Sequence, residues 1–214
     1  MVSMKKMFVY GASGHGKVVA DILIACKQPN FVGFVDDRAD LGGANVLGLP
    51  VCGNGQWLQQ EAEKMPVAVA LGIGDNFVRQ QVAEQCLAWG AELVTVVHPT
   101  ASVSASVRLG PGTVVMAQVA INPDSRIGRG AIVNTSASVD HDVEIGDFAH
   151  VAPNASMGGA SRLGTLSQLG IGAVIIHGVG VGARSMVGAG AVVVSDIPDG
   201  VVAFGVPARI HRKL

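Results

Sequence analysis

The run Leu109-Gly-Pro-Gly-Thr-Val-Val115-Met-Ala-Gln-Val-Ala-Ile121-Asn-Pro-Asp-Ser-Arg-Ile127 places an aliphatic residue at every sixth position. Extended both ways, the register takes in Val97, Val103, Leu109, Val115, Ile121, Ile127, Val133, Val139, Ile145, Val151, Met157, Leu163, Leu169, Ile175, Val181, Val187 and Val193 without a break. If about a third of residues are large and apolar, seventeen such hits arise by chance roughly once in a hundred million trials. Four places after each of the first sixteen stands a small or β-branched residue, from Ala101, Val107 and Thr113 on to Ala191. A period of six is neither helical nor a simple strand alternation. It fits a solenoid whose sides are each a short strand plus a turn. Gly110, Gly128, Gly146, Gly164 and Gly182 add a period of eighteen, which is three sixes, so a three-sided coil brings them into one column. Glycine there is expected to supply the positive φ of a tight corner. The run gives a little over five coils, a prism on the order of 25 Å long at the usual strand spacing.

Before Val97 the pattern changes. Met7–Tyr10, Phe31–Val35, Val67–Leu71 and Leu93–Val97 are short, apolar and rich in valine, as strands are. Asp21-Ile-Leu-Ile-Ala and Phe77–Trp89 read as helices. Alternation of strand and helix predicts a parallel sheet with crossovers. Residues 1–96 are therefore expected to form a Rossmann-like α/β domain, shorter than a full dinucleotide fold. Residues 97–214 form a parallel β-helix domain with a carboxy-terminal tail.

Composition agrees and excludes several classes of function. Charged residues are 14%, aromatics 4%, and there are 29 glycines, a poor recipe for a helical globule. The formal net charge is −1, with basic residues clustered only at Arg209, Arg212 and Lys213, so a nucleic-acid partner is not expected. No 18-residue stretch lacks charge and turn residues together, so no membrane span is expected. Met1-Val-Ser-Met-Lys-Lys-Met runs directly into Phe8-Val-Tyr, too short a lead for a signal peptide. The cysteines, Cys26, Cys52 and Cys86, are odd in number and lack metal-ligand spacing, which suits reduced thiols in a cytoplasm.

Among six histidines, His141 has the most informative neighbours. It stands two places after an aliphatic anchor, outside the interior positions, and is flanked by Asp140 and Asp142. A carboxylate can orient an imidazole and raise its basicity. The string Asn134-Thr-Ser-Ala-Ser-Val-Asp-His-Asp concentrates polar groups at one level of the prism, with His150 nine residues beyond His141. In the first domain, Gly11-Ala-Ser-Gly-His-Gly follows a strand and precedes a helix, where backbone N–H groups can bind phosphate. It is not a G-x-G-x-x-G fingerprint, and a plain strand–helix turn reads equally well. Asp36-Asp37 closes the second strand, where a ribose-binding carboxylate commonly sits, and Gly74-Asp75-Asn76 closes another. Three polar strand ends on one sheet edge predict a nucleotide site formed by Gly14, His15, Gly16, Asp36, Asp37, Gly74, Asp75 and Asn76. His98 and His177 read as structural and exposed, respectively. Of the prism's histidine pairs only His141 and His177 are a whole number of coils apart, so no three-histidine zinc site is expected.

The hexad pattern resembles the hexapeptide-repeat acyltransferases. That resemblance implies a left-handed triangular prism that trimerises, with active sites between subunits. Related prisms also occur in carbonic anhydrases and sugar nucleotidyltransferases. Tyr10-Gly-Ala-Ser-Gly-His-Gly, Gly72-Ile-Gly-Asp-Asn, the Asn134–Asp142 string with His150, and Gly205-Val-Pro-Ala-Arg together resemble a narrower family. These are the nucleotide-sugar N-acetyltransferases of bacterial glycan synthesis, with the sialic acid O-acetyltransferases. The likeness runs through essentially the whole chain, in order. It implies acetyl-CoA as co-substrate and a UDP-type amino-sugar acceptor, with His141 as general base assisted by Asp142. It also implies Asn134 at the acceptor and His150 beside the thioester. The Gly159 N–H would face the carbonyl oxygen, and Ile171 would line the cofactor arm. Ala189 stands where relatives often carry glycine. The implied assembly is a cytoplasmic homotrimer. Three alternatives stand beside this reading: O-acetylation of a sialic acid, a metal-dependent hydratase, and a purely structural solenoid.

Overall fold

A computed structural model describes residues 5–214; the first four residues of the amino-terminal lead lie outside it. The chain divides into two compact units between Val96 and Val97.

In the first unit, β1 (Lys6–Tyr10), β2 (Phe31–Val35), β3 (Asn45–Val46), β4 (Leu49–Gly53), β5 (Val67–Leu71) and β6 (Glu92–Leu93) form one sheet in the order β3-β4-β2-β1-β5-β6. Only the β3–β4 pair is antiparallel. β5, Val-Ala-Val-Ala-Leu, is buried at every residue, as a central parallel strand covered on both faces must be. The helices are α1 (Gly14–Ala25), α2 (Gly55–Lys64) and α3 (Asn76–Ala88). Asn54 and Asp75 cap α2 and α3, accepting the N–H of Trp57 at 3.0 Å and of Val78 at 2.9 Å. From β1 the chain first builds outward on one side, then returns to β5 on the other. The order reverses between β1 and β5, and a crevice opens at such a point beyond the strands' carboxyl ends.

Three expectations about this unit are corrected. α1 begins at Gly14, seven residues before the apolar stretch that marks it, because Gly-His-Gly reads as turn. α2 was not anticipated: Gly-Gln-Trp-Leu-Gln-Gln-Glu-Ala-Glu-Lys buries only Gly55 and Leu58 and has little apolar pattern. Leu93–Val97 is not one strand; Glu92–Leu93 pairs with β5, and Val96–Val97 is a separate strand.

The second unit is a left-handed β-helix of two-residue strands on three faces. The first face carries Val114–Val115, Ile132–Val133, His150–Val151, Gln168–Leu169 and Met186–Val187. The second carries Ala120–Ile121, Ser138–Val139, Ser156–Met157 and Val174–Ile175, and the third Arg126–Ile127, Glu144–Ile145, Arg162–Leu163 and Gly180–Val181. The strands pair in parallel with the residue eighteen later, as in Ile132 with His150 and His150 with Gln168, until the last coil, where the step is sixteen, as in Met186 with Val202. The second residue of each strand points inward, and from Val115 to Val193 these residues are buried. The small residues between them fill the corners, where Ser125, Ser167 and Ser185 donate their hydroxyls to the carbonyls of Asp140, Gly182 and Pro198.

The glycine column has a different cause from the one expected. Gly110, Gly128, Gly146, Gly164 and Gly182 do not have positive φ. A Cβ on Gly146 would stand 2.4 Å from the backbone nitrogen of Thr165 in the next coil, and the others meet similar walls. The positive φ falls on other corner residues, many of them not glycine, including Asp142 at 57°, Phe148 at 54° and Leu166 at 61°. Each such residue costs roughly 1–2 kcal/mol, which the backbone ladder and buried aliphatic stack offset.

Candidate active site

On the prism, His141 stands on the turn between the second and third faces, exposed with its neighbour Asp142. Its Nδ1 lies 2.8 Å from Asp142 Oδ2. That hydrogen bond, reinforced by the nearby charge of Asp140, raises the imidazole above its ordinary pKa. Asp140 serves a different purpose. Its Oδ1 accepts from Asn122 Nδ2 at 2.9 Å and from the His141 N–H at 2.8 Å. These bonds, the Asn122 one foremost, hold its carboxyl below the usual range, and the Gly159 N–H also reaches it. The turn bearing His141 is thus pinned by the coil before it through Asn122, a residue not singled out by sequence because nothing marks one asparagine among surface polar residues.

Gly159 lies directly above His141 in the same column. A Cβ there would come within 2.7 Å of His141 Cε1 and Nε2, so the absence of a side chain is what gives the ring its place. The Gly159 N–H, expected to face a cofactor oxygen, faces the Asp140 carboxylate in this structure.

Asn134 and His150 occupy the first face, which lies opposite the His141 edge of a three-sided coil. Asn134 Nδ2 is 3.0 Å from His150 Nε2. Ile171 and Ala189 stack eighteen apart on the edge between the first and second faces; both are exposed, Ile171 to 59%. Within one chain, then, the expected site residues fall into two groups, His141–Asp142–Gly159 and Asn134–His150–Ile171–Ala189. His177 is exposed, one coil beyond Gly159, and His98 Nδ1 takes part in a tight turn with Thr100. Among the described residues no three His, Cys, Asp or Glu side chains gather as a metal site.

In the first unit a cavity of about 350 Å³ opens at the carboxyl ends of β1 and β5, lined by Gly11, Ser13, Asp36, Gly74, Asp75 and Val78 among others. Its size suits a small ligand. The expected residues divide here too. Gly14 faces outward, with nothing within 4 Å of an added Cβ. At Gly16 an added Cβ would lie 1.8 Å from the Gly11 carbonyl oxygen; the missing side chain is what lets α1 pack on the strand ends. Asp36 lines the cavity and accepts the Ala12 N–H at 2.7 Å and the Arg38 N–H at 3.0 Å. Burial would raise its pKa, but these bonds outweigh it and the carboxyl stays below its ordinary value. Asp37 is engaged on both oxygens, by the Tyr10 hydroxyl and the Gly55 N–H, each at 2.8 Å. Asn76 is buried, its Oδ1 accepting from Arg79 Nη2 at 2.8 Å, and Asp75 caps α3.

Sequence reasoning missed Arg79. It is fully buried and donates Nη1 to the carbonyls of Ile73 at 3.1 Å and Gly74 at 2.9 Å, shaping the loop after β5. The only clue was an arginine on the inward side of a predicted helix. Burial, with the Arg79 charge adding, lowers the His15 pKa to about 4.

A left-handed prism with an outward imidazole–carboxylate pair packed against a glycine of the next coil is the architecture of a hexapeptide-repeat acyltransferase. Residues 6–86 match the PglD N-terminal domain. Over its whole length the chain is similar to a variant of the perosamine N-acetyltransferase of Caulobacter crescentus, solved with CoA and GDP-perosamine. Identity is 43%, coverage 99% of each chain, and the TM-score 0.91. The acetyltransferase domain of PglB from Neisseria gonorrhoeae, solved with acetyl coenzyme A, is 38% identical over 97% of this chain and 99% of that one, with a TM-score of 0.89. A UDP-N-acetylbacillosamine N-acetyltransferase from Bacillus subtilis is 36% identical over 117 residues; the match spans about half the length of that relative (52%). The chain belongs to the nucleotide-amino-sugar N-acetyltransferase family. No helix among the described residues is long and apolar enough to cross a membrane.

Proposed function

We infer that this chain transfers the acetyl group of acetyl-CoA to the amino group of a nucleotide-linked amino sugar, in bacterial glycan synthesis. The observation that carries this is the His141–Asp142 pair. Asp142 holds the proton on Nδ1, so Nε2 turns its lone pair outward toward an acceptor. An amine attacking a thioester must lose a proton as the bond forms, and a base in reach contributes roughly 10²–10⁴ in rate. No acyl-enzyme is needed, and the prism contains no cysteine.

His150, Ile171 and Ala189 are read as the cofactor side, with the Gly159 N–H serving the thioester oxygen once that oxygen displaces Asp140. Since His141 and His150 stand on opposite sides of one prism, a site using both draws on two chains, which favours a homotrimer. The nucleotide is assigned to the cavity beyond β1 and β5, with Asp36, Gly74 and Asp75 at its walls and Gly14 next in the chain to the lining residue Ser13. Relatives' names include both a UDP-sugar and a GDP-sugar, so the test offers UDP-, GDP- and CMP-linked amino sugars with acetyl-CoA and follows free thiol. Turnover confined to amino sugars supports N-acetylation. Turnover of the hydroxyl analogues alone, or of none, overturns it.

A further inference from the structure

His141 and His150 make opposite hydrogen bonds. At His141 the partner of Nδ1 is a carboxylate, which only accepts, so the ring proton sits on Nδ1 and Nε2 is the basic atom. At His150 the bonded atom is Nε2, 3.0 Å from the Asn134 amide nitrogen. The orientation of that amide is set by its own backbone. The Thr135 N–H lies 2.8 Å from Asn134 Oδ1, and an N–H can meet only an acceptor. The amide oxygen is therefore on the Thr135 side and the NH2 faces the ring. Nε2 must accept, and the proton of the neutral imidazole lies on Nδ1. The backbone fixes the pair as well: the Asn134 N–H donates to the Val151 carbonyl at 2.9 Å, and His150 pairs in register with Ile132.

We propose that Asn134 is a positioning residue that locks His150 in the neutral, Nδ1-protonated tautomer, so that His150 acts at the thioester as a hydrogen-bond donor and not as a base. The donor role rests on the acetyl-transfer reading above; the tautomer does not. A donor aimed at the acyl oxygen stabilises the charge that grows there, while a ring whose Nε2 lone pair is already engaged leaves proton abstraction to His141.

The test uses the full chain with 15N-labelled histidine and long-range 15N–1H spectra near neutral pH, without substrate. Loss of a signal set in His150→Gln identifies the His150 ring. The expected wild-type ring has a pyridine-like Nε2 and a pyrrole-like Nδ1. Asn134→Asp keeps an acceptor for the Thr135 N–H, so the turn is retained, but turns an acceptor toward the ring. Nε2 should become pyrrole-like, and kcat should fall about 10²-fold, with acetyl-CoA Kd changing less than about threefold. A wild-type Nε2 that carries a proton overturns the proposal. So does an Asn134→Asp enzyme whose tautomer reverses while kcat stays at the wild-type value. A wrong choice of acceptor shows instead as wild-type enzyme that turns nothing over, whatever the spectra.

Discussion

The prism and the α/β unit reach a binding-competent surface by different physics. In the prism, position in the sequence is position in space: residues eighteen apart stack, and alternate residues of a strand point in or out. His141, Gly159 and His177 form one column because 141, 159 and 177 differ by eighteen. In the α/β unit, a side chain's direction depends on partners far off in the sequence. Asp36 and Asp37 are adjacent and both line the cavity, yet Asp36 accepts the Ala12 and Arg38 N–H groups while Asp37 is tied to Tyr10 and Gly55. A repeat makes its surface readable because every coil is built alike, whereas an α/β unit hides its site in contacts that no local pattern announces.

The largest test of this contrast is chemical and lies on the prism. His141→Ala should lower kcat by roughly 10²–10⁴ and leave acetyl-CoA Kd and Tm close to wild type, since an exposed side chain carries little of the core. A variant keeping more than about a tenth of wild-type kcat would falsify His141 as the base. On the α/β side the corresponding break is structural. Arg79→Met leaves the Ile73 and Gly74 carbonyls and Asn76 Oδ1 without their charged donor, at a cost of about 3 kcal/mol. Acceptor KM should rise with it while acetyl-CoA KM holds. Urea denaturation combined with both KM values decides; unchanged stability would mean that the loop after β5 does not depend on Arg79.

The prism and its coil count follow from the aliphatic hexads alone, and His141 stands out because two carboxylates flank it. What the hexads do not carry is the reason for each glycine. The column at Gly110 to Gly182 stands one place after the aliphatic anchor and Gly159 two places after, but the sequence does not say what either glycine avoids. The first avoids backbone of the next coil, whereas the second avoids a histidine ring. Asn122 and Arg79 were illegible for a related reason: each acts through hydrogen bonds across the fold, with nothing distinctive beside it in the chain. Likewise Gly14 and Gly16 belong to one motif, yet only the structure separates the open position from the packed one.

That pair gives the next prediction in size. Gly14→Val adds atoms into open space next to Ser13, a residue lining the cavity, and should raise acceptor KM roughly tenfold, about 1.4 kcal/mol, with acetyl-CoA KM and Tm unchanged. Gly16→Ala should instead give poorly folded protein, because its Cβ overlaps the Gly11 carbonyl. Steady-state kinetics and melting curves on the two variants check this, and equal behaviour would erase the distinction between them.

The smallest expected effect is the most diagnostic for the prism. Asp142→Asn replaces the charged acceptor that does most to raise the His141 pKa with a neutral amide, while Asp140 still contributes its charge. A general base works only unprotonated, so the acidic limb of kcat/KM follows the imidazole pKa of the free enzyme. Lowering that pKa leaves more of the ring unprotonated at low pH, and the limb must move to lower pH. The plateau should fall at the same time, by about tenfold, because a less basic and less well oriented ring is a weaker base. The two changes have opposite signs below the wild-type limb and the same cause. Measured between about pH 6 and 9, where histidine titrates, a lower plateau with an unmoved limb would mean that Asp142 only orients the ring. A limb moved to higher pH would remove the Asp142–His141 pair from the mechanism altogether.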